Sequence, residues 1–336
     1  MSDLIVKAEE VKELVVEKLI SVGLSHNHAA TVSDVLIHAD LRGVHSHGVL
    51  RTEHYVKRLA KGGINADSDF SVERKGRAAA LFDGDNGMGH VIGKEAMDYS
   101  IQLSKENGIG IVGVINSSHC GALSYFSEQA AKEDTISMIV TQTDSAVVPF
   151  GGAASYFGTN PIAFGFPAKN KRPIILDMAT SNVAFGKVLH AREKGESIPP
   201  DWGVEEHGHP VTDPSEVKYL LPVGGPKGYG LALTVDVLSG ILTGSAFGPS
   251  ITPMYGNYEE YRRLSHTIIT MDAGLFLEKE EFLTSIDQMI EELHKVTPAK
   301  GVEKVLVPGE PEQIKQEKYE KHGIPVSRTV YDYLKS

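Results

Sequence analysis

The sequence predicts an α/β protein in which helices at both chain ends bracket a strand-rich middle. Apolar residues among the first 60 positions recur at helical spacing between charged ones, which is typical of amphipathic helices. From about residue 70 the pattern alternates between strand-like and helix-like segments, as in mixed α/β domains. Near the end the chain becomes strongly charged again, with an acidic helix predicted at 279–295 and another charged helix at 311–322.

The first helices carry recognisable boundary signals. A helix is predicted over 8–22 and ends at Gly23, and Ser25 or Asn27 can cap the helix that follows. A third helix is predicted at about 49–60. These elements make the first 65 residues a small helical unit.

The middle of the chain supplies the strands. Strands are predicted in AAALFDGDN, GIGIVGVIN, ISMIVTQTD, PIAFGFPA, PIILDMAT and SHTIITM, and helices in HVIGKEAMDYSIQLSKENG and ALSYFSEQAAKED. GYGLALTVDVLSGILTG is too long and apolar for a strand, which predicts a buried helix. Residues 193–217 are polar and contain the only tryptophan, which indicates a long ordered loop.

Length and composition exclude several classes of protein. A chain of 336 residues exceeds what one core sustains, so we expect two domains or one large domain with a helical appendage. A net charge of −11, without long Lys/Arg runs, argues against nucleic acid and weakens the case for an anionic membrane surface. The single cysteine, Cys120, excludes an intramolecular disulfide and zinc sites with several thiolates. No secretory signal or membrane-spanning run is evident, so we expect a cytoplasmic protein.

The first candidate site is the HSHG segment at 45–48, which is followed by Arg51 and Tyr55 at helical spacing. Arg51 can present its planar fork to a carboxylate while Ser46 and His47 contact it from the helix start. A capped helix start with a solvated arginine explains the pattern equally well. Histidines two residues apart can also ligate a metal, although no acidic partner stands at a standard spacing.

A second candidate is the SSHCG segment at 117–121, between the strongest buried strand and a helix, where ligands often bind in α/β domains. A histidine there, His119, suits proton exchange with a substrate hydroxyl near neutral pH. A structural histidine bonded to a nearby carbonyl is the alternative. Together with His45 and His47, His119 also leaves open a metal-dependent hydrolase or a metal-binding module. Cys120 is more typical of a buried thiol than of a nucleophile.

Three further segments are candidates for ligand contacts. Glycines between 150 and 161 permit close backbone approach, and 177–181 could cap the next helix and present N–H groups to a phosphate. Lys227 precedes the apolar helix, where a lysine is unfavourable without an anion beside it. Ordinary turns and caps are the alternative in each case. The GMG sequence at 87–89 lacks the third glycine of the dinucleotide fingerprint, so a standard Rossmann domain is disfavoured.

Taken together, five segments resemble the malate/L-lactate dehydrogenase family of NAD(P)-dependent oxidoreductases, which is unrelated to the Rossmann-type enzymes of similar name. They are HSHGVLRTEHYVKRLAKGGIN, SSHCGALSYFSEQAA, FGTNPIAFGFPA, LDMATSNVAFGKV and GGPKGYGLALTVDVLSGILTG. The resemblance implies a helical domain from residues 1–69 and 276–336, and an α/β NAD-binding domain at 70–275 with a mixed sheet and an atypical, non-Rossmann NAD site. It also implies homodimers with the active site near the subunit interface.

The resemblance further implies a role for individual residues. His119 would accept the proton of the substrate hydroxyl, with His47 as the second candidate. The substrate would be bound by Ser46, His47, Arg51, Tyr55 and Asp144. NAD, with NADP possible, would be contacted by Thr143, Asp177, Met178, Ala179, Lys227, Gly309 and Glu310, and no metal is implied.

Within the family, the resemblance is strongest to members that oxidise (S)-ureidoglycolate to oxalurate with NAD in allantoin and purine catabolism. The stretches SDVLIHADLRGVHSHG and SIPPDWGVEEHGHPVTDP carry it. Malate, L-lactate, sulfolactate or a keto-sugar acid are the alternative substrates, because several segments are shared across these substrate classes. A small 2-hydroxy acid is therefore the expected ligand.

Overall fold

The computed structural model describes residues 3–336 and arranges them around one seven-stranded sheet. The strands are β1 Leu4–Val6, β2 Ser71–Arg74, β3 Ala79–Asp83, β4 Ile109–Ser117, β5 Thr135–Thr141, β6 Ile162–Phe166, β7 Ile174–Met178, β8 Gly203–Val204, β9 Tyr219–Leu220, β10 Leu264–Asp272 and β11 Ile324–Val326. The helices are α1 Ala8–Ile20, α2 His26–Leu41, α3 Thr52–Ala60, α4 Gly89–Asn107, α5 Ser124–Ala131, α6 Phe185–Lys194, α7 Pro226–Asp236, α8 Lys279–Lys295, α9 Glu310–His322 and α10 Arg328–Lys335.

The large sheet is mixed and has the order β2-β3-β4-β10-β5-β6-β7. Only β3 and β4 pair in parallel within it, and the other neighbours are antiparallel. The late strand β10 lies in the middle, where buried Ile268 opposes Val112 of β4 and Ile139 of β5. The helices α4 and α5 pack against these central strands through Ile92 and Phe126. The prediction of a mixed-sheet α/β protein is therefore confirmed.

The two chain ends meet in a separate helical region. Strand β1 pairs antiparallel with β11, with Leu4 opposite Val326. The buried face of α1 packs in the same core as α2 and the last helix, through residues such as Val15, Leu36 and Leu334. Helix α8 instead buries its apolar face beside the edge strand β7. The division into domains at 1–69 with 276–336, and 70–275, stays a prediction.

The segment predicted to be a buried helix is a helix, as predicted, but it is half exposed, so the prediction of its burial is wrong. It forms α7, which continues as a π-helical stretch over Val237–Ile241. Its inner face packs through Ala232 and Val235, but Ile241 is 53% exposed and Leu242 is 64% exposed. The segment has apolar side chains on all of its faces, so its composition alone could not show that one face is not covered by another part of the protein.

The predicted helix boundaries are confirmed at one end of the chain and corrected in the middle. Ser25 caps α2, since its hydroxyl accepts a hydrogen bond from the backbone N–H of His28 at 3.2 Å. The predicted cap at 177–181 is wrong, because the next helix begins only at Phe185 and the Ser181 hydroxyl donates to a nearby carbonyl. Within residues 3–336, no helix is both long enough and apolar enough to cross a membrane.

Candidate active site

His119 lies in the loop that leaves the central strand β4 and leads into α5. The neighbouring Ser118 ties this loop to the start of α4, because its hydroxyl accepts from Gly89 N at 2.8 Å and donates to Gly87 O at 3.0 Å. A Cβ on Gly89 would lie 2.2 Å from the Ser118 carbonyl oxygen. The GMG turn therefore provides close packing for the histidine loop.

The side chain of His119 is surrounded by other rings. Its Nδ1 shares a hydrogen bond of 2.7 Å with the hydroxyl of Tyr55, which is almost completely buried. The ring of His47 stacks against it, with centroids 5.5 Å apart and planes inclined by 25°. A third ring, His90, stands perpendicular to it at 6.3 Å. The structure thus brings the two predicted histidines together and adds one that the sequence analysis did not single out.

These histidines are neutral at physiological pH. Burial, together with the neighbouring His47 and Arg51, holds the pKa of His119 well below its ordinary value of 6.5. Burial, with Arg51 beside it, lowers the pKa of His47 to about 4. A neutral imidazole has one bare ring nitrogen, which can accept a proton from a substrate.

The HSHG segment is held by Asp40, a residue of α2 that the sequence analysis missed. One carboxylate oxygen accepts from Val49 N at 2.7 Å, and the other pairs with His45 Nδ1 at 2.8 Å. The buried carboxylate thereby fixes both ends of the turn that carries Ser46 and His47. The His47 ring is oriented further by its Nδ1, which lies 3.0 Å from the Ser46 hydroxyl.

Gly48 is required by this arrangement, since an added Cβ would lie about 2.1 Å from the Asp40 carboxylate. We expect Gly48→Ala to displace that carboxylate, to lower the free energy of unfolding by about 1–3 kcal/mol, and to raise KM for the substrate. Gly76→Ala is the matched control, because a Cβ at Gly76 meets nothing within 4 Å. Chemical denaturation and steady-state kinetics check both variants. Equal stability of the two variants would contradict the assignment.

Arg51 reaches the cluster from the second of two short 3₁₀ turns, which precede α3. Its Nε donates to the Ser46 carbonyl at 2.7 Å, and its Nη1 contacts the hydroxyl of Tyr255. Arg58 lies in α3, three residues after Tyr55. It holds the loop that carries Tyr255 by donating hydrogen bonds to four backbone carbonyls of residues 253–260. Within residues 3–336, Arg51 Nη2 makes no hydrogen bond and is free for a ligand.

Asp144 pairs with Arg262, a buried residue that the sequence analysis missed. Arg262 also donates through Nε to the Thr252 carbonyl at 3.1 Å. Within the described residues, the hydrogen-bond partner of the His119 ring is Tyr55. A direct contact between Asp144 and substrate stays a prediction.

The segments that carry the predicted cofactor residues converge along β7, with the Thr143 and Lys227 segments at its end and the Gly309 segment at its start. At the end of the strand, Thr159 N donates to Thr143 Oγ1 at 2.9 Å, Thr180 N to Thr159 O at 2.8 Å and Val223 N to Thr180 O at 2.9 Å. At its start, Ile175 N donates to Pro308 O at 3.2 Å. Met178 and Ala179 lie between these contacts. One oxygen of the Asp177 carboxylate accepts from Ser124 N at 2.8 Å, which connects this region to the His119 loop.

The side chains at this convergence fit a nicotinamide dinucleotide. Asp177 is exposed as a residue, although burial of its carboxyl raises the pKa of that group. Its second oxygen has no hydrogen bond within the described residues and can accept from ribose hydroxyls. Lys227 is exposed at the start of α7 and has no ion pair in residues 3–336, so it can meet a phosphate. Glu310 differs, because its carboxylate binds His294 at 2.8 Å and Lys304 at 2.9 Å. A contact from the Gly309-Glu310 turn would therefore come from the backbone.

The histidines do not assemble into a metal site in the described structure. His45 is turned toward Asp40, away from the ring of His47 that stacks on His119. Across residues 3–336, no group of three His, Cys, Asp or Glu side chains is placed to hold a metal ion.

Comparison with known proteins identifies the family to which this arrangement belongs. A family model described as malate/L-lactate dehydrogenase matches residues 6–335. The chain belongs to the malate/L-lactate dehydrogenase family. As the sequence predicted, this chain is thus an NAD(P)-dependent hydroxy-acid dehydrogenase.

Relatives in the malate/L-lactate dehydrogenase family differ in the substrates for which they are named. The chain is 42% identical over 329 residues to ureidoglycolate dehydrogenase (NAD(+)) of Escherichia coli K12, covering 98% of this chain and 94% of that one. A solved structure of sulfolactate dehydrogenase from Methanocaldococcus jannaschii superimposes with a TM-score of 0.93 at 38% identity, covering 99% and 96% of the two chains. Malate dehydrogenase from Pyrococcus horikoshii gives 0.89 at 36% identity, covering 99% and 94%.

Proposed function

We propose that this enzyme oxidises (S)-ureidoglycolate to oxalurate with NAD, as a step of allantoin breakdown in purine catabolism. The observation that carries the chemistry is the neutral His119, oriented by Tyr55 and placed beside Arg51. The ureidoglycolate assignment is supported by the 42% identity to an enzyme named for that substrate. NADP is an alternative cofactor, since another relative is named as NADP-dependent.

Arg51 binds the substrate carboxylate in this proposal. Its Nε is held by the Ser46 carbonyl, so the guanidinium plane is fixed while Nη2 stays free. Nη2 and the second N–H of Nη1 can donate two parallel hydrogen bonds to a carboxylate, which also fixes the orientation of the substrate. The Ser46 hydroxyl and the His47 ring lie beside it and complete the carboxylate site.

His119 accepts the hydroxyl proton. When its Nδ1–H donates to the Tyr55 oxygen, its Nε2 is the bare acceptor that a substrate hydroxyl requires. Burial keeps the Tyr55 hydroxyl protonated by raising its pKa, so the phenol cannot become a competing base. His47 is the second candidate, because the Ser46 hydroxyl pairs with its Nδ1 and leaves its Nε2 bare in the same way.

The cofactor would be held by Asp177, Lys227 and the backbone at Gly309, with Thr143 in the adjoining turn. When bound, the nicotinamide ring supplies the acceptor for the hydride that leaves the hydroxyl-bearing carbon. Transfer of the proton to His119 accompanies the loss of that hydride, so the C–OH group becomes the C=O group of oxalurate, which is bonded to the ureido nitrogen. Ser124 N holds Asp177 beside the His119 loop and so keeps the substrate and cofactor residues next to each other.

The dependence of oxidation on pH follows from the neutral histidine. Because the pKa of His119 lies well below 6.5, the base form is already complete at neutral pH. We expect kcat/KM to stay level through neutral pH and to fall in acid, with its midpoint well below 6.5. Steady-state rates across the pH range measure this directly. A midpoint at or above pH 6.5 would show that the group whose titration limits kcat/KM is not His119 in its buried position.

The substrate assignment is tested by comparing kcat/KM for a panel of hydroxy acids. A site built to hydrogen-bond the ureido group should reject analogues that lack it, so we expect (S)-ureidoglycolate to exceed malate, L-lactate and sulfolactate by about 100-fold or more. The (R) enantiomer is the matched control, because it has the same carboxylate and ureido groups but presents the hydroxyl-bearing carbon with the opposite configuration. Preference for one of the other acids would retain the family chemistry and remove the role in purine catabolism.

We also propose that the enzyme is a homodimer that covers the exposed face of α7 and its π-helical continuation. Several apolar side chains share this face, among them Leu242 at 64% exposure. We expect light scattering to give twice the chain mass, and Leu242→Glu to give the monomer mass. Val302→Glu is the control, since Val302 is similarly exposed but lies outside this face. A monomeric unaltered protein would contradict the proposal.

A further inference from the structure

A cavity of about 260 Å³ lies between the C-terminal end of α2, helix α5, the start of β7 and helix α9. Two guanidinium groups, of Arg42 and Arg172, line it together with the carboxylate of Glu128. None of the roles assigned above uses these residues. The cavity is separate from the histidine cluster, whose residues do not line it.

Arg42 is the unusual member of this group. It is only 3% exposed, yet Nη1 is the only one of its three nitrogens with partners in the described residues. Those contacts are long, at 3.4 Å to Glu128 and 3.3 Å to Gln316, where charge-assisted hydrogen bonds are normally about 2.7–2.9 Å. Its Nε is buried without a partner, and Nη2 donates no hydrogen bond within residues 3–336.

The surrounding carboxylates leave this cation poorly compensated. Glu128 is shared with Lys132 at 3.6 Å, and Arg172 pairs with Glu317 at 3.1 Å, where both side chains are largely exposed. Asp177 and Glu312 act on Arg42 only through their charge, since within the described residues its guanidinium donates hydrogen bonds only to Glu128 and Gln316. A buried charge is costly unless it is paired and hydrogen-bonded, so Arg42 indicates an acceptor that enters the cavity.

We propose that this cavity binds a phosphate group between Arg42 and Arg172. A phosphate presents several acceptor oxygens, which matches the donors that a guanidinium fork leaves free. The volume corresponds to roughly nine waters of liquid, more than a lone phosphate fills. The cavity therefore has room for a phosphate ester as well as for inorganic phosphate.

Two sources of such a phosphate fit the position of the cavity. Its wall includes Ile175, whose N–H donates to Pro308, and Gln313, whose N–H donates to the Gly309 carbonyl at 3.0 Å. The cavity thus adjoins the segments at which the cofactor is proposed to bind, so a phosphate of the cofactor is the first source. That assignment rests on the proposed function. A free phosphate ester is the second source and does not.

The experiment is calorimetric titration of the full chain with inorganic phosphate, ADP-ribose and NAD. We expect Arg172→Gln and Arg42→Gln to weaken phosphate binding about tenfold, the size of one charge-assisted hydrogen bond. Lys171→Gln is the matched control, because Lys171 pairs with Glu291 and does not line the cavity. Arg172 is exposed, so its variant carries the test if the Arg42 variant does not fold.

Competition distinguishes the two sources. If excess inorganic phosphate weakens ADP-ribose binding in the unaltered protein but not in Arg172→Gln, a cofactor phosphate occupies the cavity. If phosphate and ADP-ribose bind together, the site takes a free phosphate ester. Unchanged affinities for all probes in both arginine variants, or an equal loss in Lys171→Gln, would overturn the proposal. The phosphate titration needs no turnover, so failure of ureidoglycolate oxidation would leave its result unaffected.

Discussion

Replacing His119 by alanine is expected to lower kcat for hydroxy-acid oxidation by about 10²–10⁴-fold, the usual contribution of a positioned general base. His119 is the one ring in the cluster that Tyr55 orients through a hydrogen bond, and its low pKa keeps it in the accepting form. The substrate carboxylate is held elsewhere, at Arg51, so KM should change much less. Steady-state kinetics at saturating NAD measure both constants.

The comparison variant is His47→Ala, because the two rings stack on one another and are both neutral. We expect a smaller loss of kcat there, because the proposal places His47 in the carboxylate site beside Ser46 and Arg51. Near-normal turnover in His119→Ala, with a large loss in His47→Ala, would exchange the roles of the two histidines.

Replacing Arg51 by lysine is expected to raise KM for the hydroxy acid by about tenfold or more, with a smaller change in kcat. The ammonium group of lysine keeps the charge but cannot make two parallel hydrogen bonds to a carboxylate. It also cannot keep the Nε contact to Ser46 that fixes the plane of the arginine. The affinity for NAD, measured separately, should be unchanged.

Arg74→Lys serves as the control for this substitution. Arg74 lies in the edge strand β2, where it forms an exposed ion pair with Glu106. We expect its KM to match that of the unaltered enzyme. An unchanged KM in Arg51→Lys would remove Arg51 from the carboxylate site.

Local patterns in the sequence were sufficient to pick out side chains that the structure brings together. The spacing of His47, Arg51 and Tyr55 predicted one shared surface, and the position of His119 after a buried strand predicted a ligand site. The structure brings these side chains together, with Tyr55 bonded to His119 across 64 residues of sequence. Alternation of strands and helices likewise predicted the mixed α/β fold. The apolar repeats that mark a strand and a helix both depend on residues that are close together in the chain.

Contacts between distant segments could not be found in this way. Arg262 meets Asp144 from 118 residues away, and Arg58 holds a loop about 200 residues later. Arg262 lies in irregular chain without a periodic pattern, although Arg58 shares a helical face with Tyr55 and could have been noticed. The exposed face of α7 was mistaken for core because its apolar composition does not show which layer covers it.

The central claim is that this chain removes a proton and a hydride from ureidoglycolate. It is tested most directly by measuring both products when the purified enzyme is given (S)-ureidoglycolate and NAD. Nicotinamide absorbance follows NADH, and chromatography of the same sample measures oxalurate. We expect equal amounts of NADH and oxalurate. Consumption of ureidoglycolate without NADH, or release of urea in place of oxalurate, would contradict it.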